Sequence, residues 1–411
     1  MKPKPTAPAL AARGFLCLGL LALLALPALL GATAEVRGGP AGARADGPAA
    51  APKGGPPAAM AGGPPGAATT GPQAAQAGGP GDARAALRRV VPELLRRHHV
   101  PGLAITVVRG RKVAWTECFG SRRAGGAESI TADTVFEAAS LSKPLFAYAV
   151  MRQVAARAVG LDRPLAAYLD KPYLADPRGA RITARQVLDH TSGLPNRARG
   201  KPLAVELEPG ATWRYSGEGY VYLQRVLERV AGQPLAELMR RLALGPLGME
   251  ASSYVWREDY RRTAATPHDR SGAPMPKAEP REALAASSLH TTAPDYGRFL
   301  AAMLDPGAHA ALLPPAAVGG MLVPQVQVDA PLGLAWGLGW GLETWEGSRW
   351  FFHWGANDGF RCFALGNPAT GDGLAAFTNG AMGLELMDEV VRAVDGKAHP
   401  LFRFPLLHPD D

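Results

Sequence analysis

The composition breaks near residue 82. From Glu35 to about Gly81 the chain is almost entirely glycine, proline and alanine, with no aromatic residue and no apolar period. Such a stretch buries too little surface to offset the entropy lost on ordering it. Residues 35–82 therefore read as a disordered linker, and folding is left to residues 83–411, enough for one large domain or two joined ones.

Upstream, Lys2, Lys4 and Arg13 precede an apolar run from Phe15 to Leu30, followed by Ala32, Thr33 and Ala34. A basic region, a short apolar core and an A-x-A site read as a secretory signal peptide over 1–34. The 16-residue run is short for a spanning helix. Cleavage is expected, with the product periplasmic or extracellular; the protein meets a membrane only if this segment is retained as an anchor. Cys17 lies inside the run, not at its end, which argues against lipoprotein attachment.

The formal charge is +8, and removal of Lys2, Lys4 and Arg13 with the signal leaves +5. Arg88, Arg89, Arg96 and Arg97 alternate with Leu87, Val90, Leu94 and Leu95, the pattern of a solvated helix face. No aromatic interleaving accompanies them, so nucleic acid is not an expected partner. The histidines show no H-x-H, H-E-x-x-H or Cys/His spacing, so neither a metal nor a cofactor is expected. His98 and His99 fit a helix end. Cys118 and Cys362 either pair or stand as buried thiols. There is no G-x-S-x-G elbow, P-loop or G-x-G-x-x-G after a strand.

Residues 83–99 read as a helix that Pro92 kinks or splits. Leu103 to Val108 and Val113 to Phe119, with Gly110 between them, read as a β-hairpin. Thr183 with Gln186, and Thr292 with Pro294 and Asp295, read as helix starts. Three strands are expected at Trp350–Trp354, Phe360–Leu365 and Leu374–Phe377, then a helix near 384–394. These elements predict an α/β (α+β) fold: one antiparallel sheet built from both chain ends and flanked by helices, with an inserted, mostly helical lobe.

Ser140 stands three residues before Lys143, where an apolar helix begins and runs to Val154. S-x-x-K alone is a weak signal. Singly, Ser140 also fits an N-cap, Lys143 a surface lysine, Tyr215 a core aromatic and His353 a satisfied strand histidine. Six ordered segments, however, together resemble one family: "VPGLAITVVRGRKV", "SLSK", "DHTSGLP", "PGATWRYSGEGY", "PLGM" and "FFHWGANDGF". They are similar to the serine hydrolases that include class C β-lactamases, D-alanyl-D-alanine carboxypeptidases, D-aminopeptidases and family VIII-type esterases. The likeness runs from about Val100 to Gly380.

That resemblance implies a β-lactamase/transpeptidase-like fold and an acyl-enzyme formed on Ser140. Lys143 would be its base, Tyr215 a second proton handler and His353 a further catalytic residue on the closing strand. Gly355, Ala356, Trp354 and Asn357 would bind substrate, with the Ala356 N–H joining that of Ser140 around an oxyanion. His190 would hold a turn. A neutral lysine at pH 7 costs about 4.6 kcal/mol from a reference pKa near 10.4, so desolvation or a cationic neighbour must supply the shift, and the apolar run that follows is consistent with burial.

The chain departs from the family pattern at two places. Gly217 stands where β-lactamases carry an amide-binding asparagine, leaving Glu218 or Asn357 as substitutes. His353-Trp354-Gly355 replaces lysine-threonine-glycine, removing a fixed charge and a hydroxyl that a substrate carboxylate would use. The expected substrate is accordingly a small ester, amide or peptide, with β-lactam turnover secondary. The alternatives are a β-lactamase or carboxypeptidase proper and, from another class, a non-catalytic binding module retaining the fold.

Overall fold

The computed structural model describes residues 80–408, Arg199 excepted. The signal segment and nearly all of the linker expected from the sequence lie outside the described residues. The chain opens with α1 (Pro80–Arg97), the hairpin β1 (Gly102–Arg109) and β2 (Lys112–Gly120), the short β3 (Phe136–Glu137) and α2 (Ser142–Ala155). The inserted lobe carries α3 (Ala184–Leu188), α4 (Gly217–Ala231), α5 (Leu235–Met239) and α6 (Tyr260–Thr263). Next come β4 (His290–Thr291), α7 (Ala293–Leu304), α8 (Pro315–Met321), β5 (Val326–Asp329), β6 (Leu334–Trp336) and β7 (Gly341–Trp345). The chain closes with β8 (Ser348–Asn357), β9 (Phe360–Asn367), β10 (Asp372–Thr378) and α9 (Met387–Asp395).

An eight-stranded antiparallel sheet runs β2-β1-β10-β9-β8-β7-β6-β5, so both chain ends do build one sheet. Alternation along the strands feeds two cores. Leu103, Ile105 and Val107 of β1 and Phe363 and Leu365 of β9 pack on one face with Leu87, Val91, Val390 and Val391 of α1 and α9. Ala104, Val108, Cys362 and Ala364 face the other way, toward α2, α7 and the lobe. α7 lies close enough to β1 that a Cβ on Gly297 would fall 2.4 Å from the Thr106 methyl. Between the sheet and the lobe runs α2, buried at every position from Ser142 to Met151.

Three expectations, on α1, the tail strands and the last helix, need correction, and the open question of the two cysteines is answered. α1 begins at Pro80, ahead of 83, and is continuous through Pro92. Proline suits a first helical position, and Arg88 and Pro92 are both exposed, so water can take the carbonyl that Pro92 leaves unpaired. The tail contributes six strands, not three. β5, β6 and β7 are three to five residues long, too brief for an alternating pattern to emerge. The last helix starts at Met387, not 384. Cys118 and Cys362 are both free. They stand in register across β2-β1-β10-β9, three strand spacings or about 14 Å apart, beyond disulfide reach. Among the described residues no helix is long and apolar enough to cross a membrane.

Candidate active site

Ser140 sits in a 3-10 turn, Ala139–Leu141, that precedes α2 rather than in its first α-helical turn. Residues i and i+3 nearly eclipse in such a turn, which brings Lys143 directly over the hydroxyl. Ala139 has φ +48°, a left-handed conformation that costs a non-glycine residue on the order of 1–2 kcal/mol. A dense set of contacts holds it. The Ala138 N–H donates to the Leu289 carbonyl at 2.8 Å, and the Cys362 thiol donates to the Ala138 carbonyl at 2.8 Å. Tyr296 and Tyr254 donate to the Leu141 and Ser142 carbonyls at 3.0 and 2.8 Å. Ser142, whose role was not readable in the sequence, donates to the Ala139 carbonyl at 2.5 Å and accepts from the Leu289 N–H at 3.0 Å. Ser142→Ala should therefore cost about 1–3 kcal/mol of stability in urea unfolding and lower kcat more than it raises KM.

Lys143 is 2% exposed, and its Nζ lies 2.9 Å from Ser140 Oγ and 2.9 Å from the Ala286 carbonyl oxygen. Burial, followed by the positive charge of Arg197, lowers its pKa to about 7. No carboxylate among the described residues offsets this. The rings of Tyr215 and Tyr220, at 4.9 and 5.7 Å, wall the amine from water. A neutral amine in this place donates to Ala286 and keeps its lone pair for the Ser140 proton.

The Tyr215 hydroxyl is buried beside Ser140 but falls short of a formed hydrogen bond. Burial raises its pKa and Ser140 only partly opposes this, so Tyr215 remains a phenol at neutral pH. Its ring rests on His190 at 4.3 Å and on Trp354 at 5.3 Å. His190 accepts the Ser216 N–H on Nδ1 at 3.1 Å, which holds the turn leading into α4 and leaves the proton on Nε2.

His353 is fully buried on β8, with Nδ1 2.7 Å from the carbonyl of Trp354. Burial, then the nearby Lys143, lowers its pKa to about 3, so it is neutral. Its ring lies 6.0 Å from that of Tyr215, and it makes no hydrogen bond to Ser140 or Lys143. The Trp354 side chain is 6% exposed and packed between Tyr215 and Phe404; it supports the tyrosine and offers no surface to a substrate. The Asn357 amide donates to Glu137 at 2.7 Å and to the Ser287 carbonyl at 3.3 Å, and Glu218 accepts the Ala198 N–H at 2.9 Å. Both substitutes named for the missing asparagine are thus already engaged.

Strand register aims the backbone of Ala356. Glu346 and Gly347, with φ +48° and +72°, form a two-residue turn whose closing pair is Trp345 and Ser348. Alternate pairs then exchange hydrogen bonds, so even-numbered residues of β8 point their N–H and C=O at β7. β7 pairs only as far as Phe352, leaving Trp354 and Ala356 on an open edge. The strand abuts the turn that carries Ser140 there, since a Cβ on Gly355 would lie 2.4 Å from the Ala138 carbonyl oxygen. The Ser140 N–H belongs to a first helical turn, where donors lack intrahelical partners. By contrast, a cleft of about 520 Å³ beside α1, lined by Leu95, His99, Phe119 and Ser271, contains none of these residues.

A sequence model of the Beta-lactamase family matches residues 87–396, a span that takes in all of this site. The chain belongs to the beta-lactamase family. As a beta-lactamase-family protein it is a serine hydrolase. It is 28% identical to penicillin-binding protein 4 of Amycolatopsis lactamdurans over 333 residues, covering 73% of this chain and 86% of that one. It is 30% identical to esterase EstB of Burkholderia gladioli over 223 residues, 47% of this chain and 56% of that one. The fold matches D-alanine carboxypeptidase AmpC from Burkholderia cenocepacia with a TM-score of 0.66 at 20% identity, covering 76% of this chain and 99% of that one. Sequence reasoning missed the Ala286 carbonyl, Tyr254, Tyr296 and the Cys362 thiol. A backbone carbonyl leaves no residue-type signal, and the two tyrosines carry no local pattern.

Proposed function

We propose that this beta-lactamase-family hydrolase cleaves ester or amide bonds of small acyl substrates through a Ser140 acyl-enzyme. The observation that carries this reading is the buried Lys143 Nζ 2.9 Å from Ser140 Oγ, with no carboxylate to hold its charge. The neutral amine takes the Oγ proton as Oγ bonds to the substrate carbonyl carbon. The carbonyl electron pair moves onto its oxygen, which the N–H groups of Ser140 and Ala356 stabilise. When the intermediate collapses, the leaving group departs with the proton that Lys143 took, passed through the Tyr215 hydroxyl. Water then attacks the acyl-enzyme, with the lysine and tyrosine working in the reverse sense. His353 acts from behind Tyr215.

The neutral His353 and the enclosed Trp354 give a substrate carboxylate no partner, which favours uncharged esters over β-lactams. The two resembled activities, D-alanyl-D-alanine cleavage and β-lactam hydrolysis, are decided by a panel. A p-nitrophenyl ester is expected to turn over fastest and a chromogenic cephalosporin slowly, with a D-alanyl-D-alanine peptide and a D-amino-acid amide as the other members. Best turnover of the cephalosporin would reverse the weighing of Gly217 and Trp354. A fluorophosphonate should label the wild type and not Ser140→Ala; no labelling of the wild type would favour a non-catalytic binding module. The N-terminal segment supports an exported protein, and fractionation of the native host would place it.

A further inference from the structure

We infer that Asn357 is a positioning residue: its carboxamide clamps the open end of β8, and with it the Ala356 N–H, to the segments that carry Ser140 and hold Lys143; this rests on the Ser140 acyl-enzyme reading. The sheet creates the need. β7 stops pairing with β8 at Phe352, so residues 353–357 have a strand neighbour only in β9. Their position on the open side is left to side chains. Asn357 ends β8, directly after Ala356. Its amide donates to Glu137 Oε2 at 2.7 Å and to the Ser287 carbonyl at 3.3 Å. Both partners are acceptors, which fixes the amide with its NH2 toward them.

Glu137 ends β3, three residues before Ser140, and pairs through its backbone with His290 of β4. Ser287 follows Ala286, whose carbonyl holds the Lys143 amine. One carboxamide thus joins the three segments that carry the proposed nucleophile, its base and the second oxyanion donor. Arg361 also donates to the Asn357 carbonyl at 2.7 Å, so the residue is held by its backbone as well as its side chain. Burial raises the Glu137 pKa; the Asn357 hydrogen bond opposes the rise, and Asp358 adds to it. A carboxylate withdrawn from water beside another acid is costly to the fold, but it is a strong acceptor for an amide N–H. An oxyanion donor works only within about 2.7–3.1 Å of the developing charge, so a shift of β8 by about 1 Å forfeits most of its contribution.

Asn357→Ala should therefore lower kcat for a p-nitrophenyl ester by about 10–100-fold and leave KM within about twofold. A trifluoromethyl ketone with the same acyl group reads the donor directly. Ser140 Oγ adds to its carbonyl carbon, the Oγ proton passes to Lys143, and the carbonyl oxygen is left as an oxyanion. Its inhibition constant should rise by the factor that kcat/KM falls. Glu137→Gln keeps an oxygen that accepts from the amide and should stay within about threefold of wild type, whereas Glu137→Ala should match Asn357→Ala. The Glu137→Ala/Asn357→Ala double variant separates position from stability. It strands no carboxylate, so its urea midpoint should recover toward wild type while kcat stays low. Recovery of kcat along with the midpoint, or a rise in KM in place of the loss in kcat, overturns the assignment. Crystal structures of wild type and Asn357→Ala should differ by about 0.5–1 Å in the Ala356 nitrogen relative to Ser140. An unmoved nitrogen overturns the assignment whether or not either protein is active. That displacement in a protein whose wild type turns over no ester supports the clamp and overturns the acyl-enzyme reading alone.

Discussion

Lys143→Met is expected to lower kcat/KM for a simple ester by about 10³–10⁴-fold, as much as removing the Ser140 hydroxyl. Methionine matches the lysine stem in volume and suits the apolar pocket, but it has no lone pair to receive the proton. Because the two residues act as a unit in the proposed mechanism, the Ser140→Ala/Lys143→Met double variant should be no worse than either single one. The wild-type pH profile follows from the same geometry. In the proposed mechanism only the neutral amine is competent, and its pKa is about 7, so kcat/KM should rise through an ionisation near pH 7 and level off above about 8. A loss below tenfold, or a flat profile between about pH 5.5 and 8.5, would remove Lys143 from the base role.

The variant should also be the more stable protein near neutrality. The lysine pKa falls from 10.5 to about 7 on folding, so the folded state binds fewer protons between those values. The destabilisation is fully present below pH 7 and fades as pH rises toward 10.5. At roughly 1.36 kcal/mol per unit it amounts to about 5 kcal/mol. Methionine escapes that cost while losing two contacts of the amine, which leaves a net gain on the order of 2 kcal/mol. Stability lost for reactivity is the signature of a site residue; a structural lysine would show the opposite sign.

How far the sequence spoke depended on the range of the interaction. The front hairpin was legible because β1 and β2 carry long β-rich runs around one glycine turn, and the Thr183 capping box formed as its side chains require. The burial of Lys143 was legible through the apolar residues that follow it, and the estimated cost of neutralising it matches the shift that burial produces. What escaped is non-local. The left-handed Ala139 is held by residues 115 to 223 positions away, among them Tyr254, Tyr296 and Cys362. The Asn357 amide looked free until Glu137, 220 positions earlier, claimed it. Resemblance to the family pointed to Ser140, Lys143 and Tyr215, but only packing distinguishes Trp354 as a prop behind the tyrosine from Trp354 as a substrate contact.

That prop depends on a clasp at the chain end, and His399→Gln is expected to cost about 3–5 kcal/mol. His399 Nδ1 lies 2.5 Å from Glu343 on β7 and Nε2 lies 2.8 Å from Asp395 at the end of α9, while the Leu401 N–H donates to Glu343 at 2.9 Å. The histidine and glutamate side chains are both 0% exposed, so removing the imidazolium strands a buried carboxylate. Burial alone would lower the His399 pKa, but the hydrogen bonds to Asp395 and Glu343 outweigh it and raise the value to about 9. The folded state therefore holds a proton that the unfolded chain releases near 6.5. The clasp contributes fully below that pH, and its contribution, about 3 kcal/mol, is lost as pH rises through 9. The stability gap between wild type and His399→Gln, read by urea unfolding, should accordingly narrow by that amount between about pH 6 and 10. The tail it secures places Phe404 against Trp354 and Trp213, each 6.0 Å away, and Trp354 backs Tyr215. Activity should then fall again above about pH 9, in parallel with loosening of the tail and not with titration of Lys143. A gap that stays constant across that range would mean that His399 is neutral in its pocket, and the alkaline loss of activity would need another cause.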